Sequence, residues 1–290
     1  MSSPPTSNVD KRCWMSKVTD IDSLKLNSLI WPGTHNSGMD KKAPNYEVIL
    51  GNWTTCQNDS FAWQLEQGAR AFDLRLGFHP GSPRGTYYFH HNGFQSHRVL
   101  DELIDAVNSF LDRNPDEFIL LDFHQLRDGE QHFDFAQFNE LLVRRLGERV
   151  ISPWDDDKTI GELKAASNKK RILMAASGSV ELDMAYFQSQ IFHRWSGNRV
   201  TDIEDLRRHI IQTLDTPRIA TPLWSLTATS YSFLGGPVDI KQHINEWFHY
   251  SRDWITRCSI ISTDFFDESA IVSYCWVANS MKAVYGDAAR

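Results

Sequence analysis

Two histidines, an arginine and an aspartate, far apart in the chain, make up the set that could do chemistry: His35, Arg75, His91 and Asp264. One imidazole can take a proton from an attacking oxygen while the other protonates a leaving oxygen, and a guanidinium can neutralise a phosphate between them. A carboxylate beside the basic imidazole fixes its tautomer and stabilises its cation. That equipment suits cleavage of a phosphodiester. Each residue also has a plainer use. Arg75 could pair with Asp73, Asp264 could cap the next helix, and only one of His90 and His91 can face inward on a strand. What favours chemistry is position: each stands at the end of a predicted strand, as do His124, Ser177 and Trp195.

The elements that must position these residues alternate along the chain. Ile30-Trp31-Pro32-Gly33-Thr34-His35-Asn36-Ser37-Gly38 reads as an apolar strand over 28–31 that Pro32 and Gly33 break, delivering His35 into a polar loop. Further strands are predicted over 71–76, 86–91, 118–123, 171–176, 190–192, 222–225 and 259–263. The stretch 118–123 is almost wholly apolar, as a parallel strand covered on both faces should be. Helices are predicted over 60–70, 99–113, 133–146, 160–166, 201–214, 240–254 and 268–284. Ser60 is placed to cap the first, and Thr201 with Glu204 forms a capping-box pattern. Eight strands separated mostly by helices, with no linker or repeat, point to an α/β fold: a single-domain, irregular (β/α)8 barrel over 21–290, with its chemistry at the C-terminal strand ends. No glycine-rich phosphate loop occurs, so no nucleotide cofactor is expected.

Composition narrows the partners. With 290 residues, 41% of them hydrophobic, the chain can build a large core, and its net charge of -7 argues against nucleic acid. No run approaches the roughly 20 apolar residues a membrane span needs. The first ten residues are Ser/Pro-rich and carry no secretory signal pattern, so 1–20 is expected to be disordered or loosely ordered. A cytoplasmic location, or export by a route without a visible signal peptide, follows. Cys13, Cys56, Cys258 and Cys275 lack zinc-like spacing and are expected to be reduced. A monomer is expected.

Three stretches carry a family resemblance. Pro32 to Gly38, Gly68-Ala69-Arg70-Ala71-Phe72-Asp73-Leu74-Arg75, and His90-His91-Asn92-Gly93 resemble the X-domain of bacterial-type phosphatidylinositol-specific phospholipase C. The resemblance is specific over 26–125 and looser beyond, where Ser262-Thr263-Asp264 resembles the final catalytic strand. It implies an irregular barrel that cleaves phosphatidylinositol to diacylglycerol and inositol 1,2-cyclic phosphate. His35 would then be the general base, Asp264 its orienting carboxylate, His91 the general acid and Arg75 the phosphate ligand, with Asp73 beside them.

The same resemblance makes Asn36, His124, Trp195 and Arg194 candidates for substrate binding, with His193 an alternative to Arg194. Trp195 would stack on the inositol ring. Ser177 stands where the family places a basic residue. Asn36 is found in calcium-dependent eukaryotic members, but Arg75 and His124 stand where those enzymes carry metal-binding carboxylates. Calcium is therefore disfavoured, and neither a metal nor any other cofactor is expected. Trp53, Tyr231 and Phe233 are expected to touch the lipid surface peripherally. Two other readings compete: a metal-dependent phosphodiesterase, either calcium-dependent or of the glycerophosphodiesterase kind, and a non-catalytic barrel that binds inositol lipids. The second is disfavoured because binding alone does not call for an acid–base pair.

Overall fold

The computed structural model describes residues 9–43, 51–81, 86–177, 179–198, 200–216, 223–232 and 236–286. Its strands are β1 (Trp31–Thr34), β2 (Ala71–His79), β3 (Thr86–His91), β4 (Phe94–Val99), β5 (Ile119–Leu126), β6 (Ile172–Ala176), β7 (Phe187–Ser189), β8 (Phe192–Arg194), β9 (Trp224–Thr227), β10 (Ser230–Ser232), β11 (Gly236–Val238) and β12 (Ile260–Thr263). The helices are α1 (Gly51–Thr54), α2 (Phe61–Glu66), α3 (Leu100–Arg113), α4 (Phe135–Leu146), α5 (Ile160–Ala166), α6 (Ile203–Asp215), α7 (Lys241–Trp247) and α8 (Ile271–Tyr285).

A parallel path runs β7-β6-β5-β2-β1-β12-β9-β8. Its two ends, β7 and β8, are consecutive in sequence and separated only by Gln190 and Ile191. One bent length of chain therefore pairs with β6 through its first half and with β9 through its second, closing the sheet into a barrel. The interior strands are apolar on both faces: Ile119, Leu120, Leu121 and Phe123 of β5 are all fully buried. Helix α3 presents Leu103, Ile104, Val107, Phe110 and Leu111 to the sheet at helical spacing.

Several expectations are corrected. Thr86–His91 is not a barrel strand: β3 runs antiparallel to β2 and forms a hairpin with β4. The link from His79 to Thr86 is far shorter than the dozen or so residues a parallel crossover needs. Nor do Pro32 and Gly33 break β1, which runs through both. The Pro32 carbonyl accepts from Arg70 N, so its missing N–H faces the start of β2, where pairing begins only at Gly33. A Cβ at Gly33 would lie 3.0 Å from Ile260 Cγ2 and 3.3 Å from the Ile261 carbonyl, so a side chain there would crowd β12. Helix α6 is capped by Asp202, which accepts from Asp205 N, and Thr201 pairs with Tyr231 instead. Helix α7 ends at Trp247, well short of 254.

The N-terminal segment is corrected as well, from Lys11 onward. Trp14 and Met15 are fully buried, and Trp14 Nε1 donates to the Gly68 carbonyl at 3.0 Å. Buried Glu117 accepts from Met15 N and Ser16 N while pairing with buried Arg70 at 2.8 Å. Apolar residues at 14, 15, 18 and 21 continue the core where composition alone read a loose tail. Residues 1–8 lie outside the described residues. The four cysteines are free thiols.

Candidate active site

Register brings the first pair together. Thr34 and Thr263 oppose each other on β1 and β12, so the next residues, His35 and Asp264, leave adjacent strands side by side. His35 Nδ1 lies 2.7 Å from Asp264 Oδ1. A carboxylate only accepts, so Nδ1 carries the proton and Nε2 is left as the basic nitrogen. Both residues are almost buried, at 7% exposure each.

Asp73 and Arg75, two apart on β2, share a face. Arg75 donates from Nε to Asp73 Oδ1 at 3.2 Å and from Nη2 to Oδ2 at 2.8 Å. Asp73 Oδ2 also accepts from Asn36 N at 3.0 Å and lies 4.0 Å from His35 Nε2. Burial opposes ionisation of Asp73, but the Arg75 charge and the neighbouring imidazoles outweigh it and hold the carboxyl well below its usual range. Between Asp73 and Arg75 the pairing with β5 slips, so that three residues of β5 oppose two of β2. This bulge lies at Phe123 and His124 and re-aims β5 at the barrel mouth.

His91 arrives by a different route. Because β3 runs back along β2, its last residue descends into the mouth, where its ring sits edge-on to His35 with centroids 6.1 Å apart. The hairpin packs closely on the loop after His35, and a Cβ on Gly38 would meet Phe89 at 2.2 Å. His91 Nδ1 lies 3.3 Å from the Thr54 carbonyl, which only accepts, so the neutral ring carries its proton on Nδ1. Burial, followed by the Arg75 and His35 charges, pushes this imidazole down to about 3. His90 turns the other way, fully buried, with Nδ1 3.6 Å from Asp128 Oδ1. Thus His35, Asp264, Asp73, Arg75, Asn36 and His91 form one group, as the sequence motifs place them.

A second group lies beside the first. His193 Nε2 reaches across from β8 to Asp122 Oδ2 at 2.6 Å, and the His193 ring stacks on His124 at 3.7 Å and 11°. The β6 residue paired with Asp122 is Ala175, whose small side chain leaves room for that reach. Burial pushes Asp122 up to about 6 and His124 down to about 4. His193, not Arg194, is therefore the inward residue of β8. Alternation turns Arg194 outward over the Phe192 ring, 4.6 Å from its centroid. Trp195 is 53% exposed past the end of β8, so it is not a core residue. Sequence reasoning missed Asp122, although its alternation with Phe123 and His124 carried the signal. Of the expected lipid contacts, Trp53 is half-buried, Tyr231 is half-buried with its ring edge-on to His91 at 6.1 Å, and Phe233 lies outside the described residues.

Two sets could be considered for a metal: His35 with Cys56 and Asp264, and Asp122 with His124 and His193. In the first, the His35 nitrogen facing Asp264 is already committed to it. In the second, parallel rings cannot aim both in-plane lone pairs at one ion. The calcium position fits no better. The Arg75 guanidinium occupies both oxygens of Asp73, where a cation would need them.

No family model matches the sequence. Among curated proteins, the mouse "PI-PLC X domain-containing protein 2" is 31% identical over 314 residues, covering 90% of this chain and 85% of that protein. The human protein of the same name is 32% identical over 164 residues, and the Trypanosoma cruzi "Variant-surface-glycoprotein phospholipase C" 32% over 179 residues. These two alignments cover 49% and 59% of this chain, and only 51% and 44% of those proteins. In fold, the chain is similar to the phosphatidylinositol-specific phospholipases C of Listeria monocytogenes (TM-score 0.67, 16% identity, 95% of this chain and 99% of that one) and Staphylococcus aureus, as an F249X mutant (0.66, 16%, 93% and 98%). The fold likeness spans the whole barrel, and sequence identity with the mouse relative is sustained along nine-tenths of the chain: it belongs to the PI-PLC X domain-containing family.

Proposed function

We propose that this chain cleaves phosphatidylinositol by intramolecular displacement at phosphorus. His35 Nε2 removes the proton of the inositol 2-hydroxyl, and the new oxygen–phosphorus bond closes the cyclic 1,2-phosphate. The bond from phosphorus to the glycerol oxygen breaks, and protonated His91 gives its proton to that oxygen, releasing diacylglycerol. The observation that carries this reading is the pair of imidazoles 6.1 Å apart with Arg75 and its carboxylate partner beside them. Because attack comes from within the substrate, holding the ring in place supplies much of the rate.

The His91 pKa decides when it can act. In the free protein burial, followed by the Arg75 and His35 charges, keeps it neutral. A bound phosphodiester anion offsets the Arg75 charge and favours the imidazolium, so the acid form builds up with substrate bound. Asn36 Nδ2, buried without a partner, is a donor for a phosphate oxygen, and His193 and His124 face the mouth as ligands for ring hydroxyls. Trp53, at the end of α1, is the proposed lipid contact. Among the described residues no helix is long and apolar enough to cross a membrane. Arg75 takes the electrostatic role that a cation would otherwise fill, so turnover is proposed to be metal-independent.

The test is purified protein on phosphatidylinositol vesicles, in EDTA or in calcium, with detection of inositol 1,2-cyclic phosphate. Activity in EDTA is expected, falling by roughly 10²–10⁴ in His35→Ala and in His91→Ala. Activity only with calcium would remove the role given to Arg75, and none in either condition would leave a lipid-binding barrel.

A further inference from the structure

Each half of the His35–Asp264 pair stands immediately before a residue in left-handed backbone: Asn36 at φ +46° and Phe265 at φ +45°. Asparagine adopts this region with ease, but a phenylalanine there is strained and persists only when its surroundings hold it. The side chain of Gln57 touches both turns. It is 1% exposed, and its Nε2 donates to the carbonyl of His35 at 2.8 Å and to that of Thr263 at 3.0 Å. Its Oε1 accepts from Phe266 N at 3.3 Å. The three bonds fall on the peptide leaving His35, the peptide entering Asp264 and the peptide leaving Phe265.

Gln57 is itself anchored. Its N–H donates to the Met39 carbonyl at 3.0 Å, its own carbonyl accepts from Lys41 N at 3.1 Å, and the Cys56 carbonyl accepts from Phe265 N at 2.8 Å. We propose that Gln57 is a positioning residue whose amide pins both left-handed turns and so sets the His35–Asp264 hydrogen bond. This rests on the reading of His35 as base and Asp264 as its orienting carboxylate. The role needs an amide. The carboxylate of a glutamate has the same shape but cannot donate to two carbonyls, and a methionine fills the space while removing all three bonds, leaving the Thr263 carbonyl only its bond from His35 N.

The test uses the full chain as wild type, Gln57→Glu and Gln57→Met. The Nδ1 proton of His35, far downfield in a short imidazole–carboxylate bond, is followed by NMR without substrate, alongside thermal melting and kcat and KM on phosphatidylinositol vesicles. In both variants the resonance is expected to vanish or move upfield, with kcat lowered by about 10- to 100-fold per folded molecule at nearly unchanged KM. Phe265→Gly, which removes the backbone strain, is expected to restore part of kcat to Gln57→Met. A variant that melts lower but keeps the downfield proton and wild-type kcat overturns the proposal, because Gln57 would then serve stability alone. Should Gln57→Met fail to fold, the resonance of Gln57→Glu decides the matter. Wild-type inactivity on phosphatidylinositol would sink the functional reading, while the NMR result still decides this one.

Discussion

Arg75 and Asp73, two positions apart on one strand, face each other as a fork on a carboxylate, with contacts of 3.2 and 2.8 Å. A lysine has a single ammonium and cannot keep both contacts while also meeting a phosphate. Arg75→Lys is therefore expected to lower kcat by about 10²–10³, the usual loss when a donor to developing charge is removed. Added calcium should not restore it. Initial rates with and without calcium check both points.

Asp264 acts through the tautomer it imposes on His35. In Asp264→Asn the amide nitrogen can donate to Nδ1, which places the ring proton on Nε2 and removes the base. Turnover is expected to fall by roughly 10²–10⁴ with little change in KM, measured on vesicles at a pH where the wild type is on its plateau.

Acid should destabilise this protein through its buried imidazoles. His91 is held down from 6.5 to about 3, and His124 to about 4. The folded state keeps them neutral while the unfolded chain takes up protons, so stability falls as pH drops through 6.5 and goes on falling toward the folded values. Asp122, pushed up to about 6, works in the opposite sense, because below that pH the folded state is the one that holds the proton. The two histidines outweigh it, and His91 alone costs about 2 kcal/mol between pH 7 and pH 5. Denaturant titrations of wild type and His91→Asn at both values should show the variant losing less.

Glu117 is buried between Arg70 and the backbone of the N-terminal segment. Glu117→Ala leaves the Arg70 guanidinium charged and without its carboxylate, and is expected to cost about 3–5 kcal/mol. Met15 N and Ser16 N lose their acceptor in the same step, so proteolysis near residue 14 should speed up ahead of global unfolding.

What the sequence disclosed depended on how local each signal was. His35, Arg75 and Asp264 stand at or near the ends of short apolar strands, which singles them out locally, whereas Asp73 is marked only by the family motif around it. The motif favours His91 over His90, but the reason His91 reaches the mouth lies in the link after His79, too short for a parallel crossover, which sends β3 back antiparallel along β2. Asp122 is hidden inside an apolar run, and the sequence leaves Arg194 and His193 as alternatives because the facing of so short a strand is settled only by its pairing with β9. Gln57 carries no local mark at all. Its three partners lie near residues 35 and 265, and only the assembled barrel brings those turns together.

The join at Gln190 and Ile191 has a bearing on how this barrel tolerates change. Elsewhere a loop can lengthen at small cost, since closing entropy grows slowly with length. Here two extra residues would slide His193 off its level and leave β6 and β9 each with an unzipped flank, a template for sticking to other copies. Insertions between 189 and 192 should therefore yield aggregates rather than slower enzymes, which makes this dipeptide the keystone of the ring.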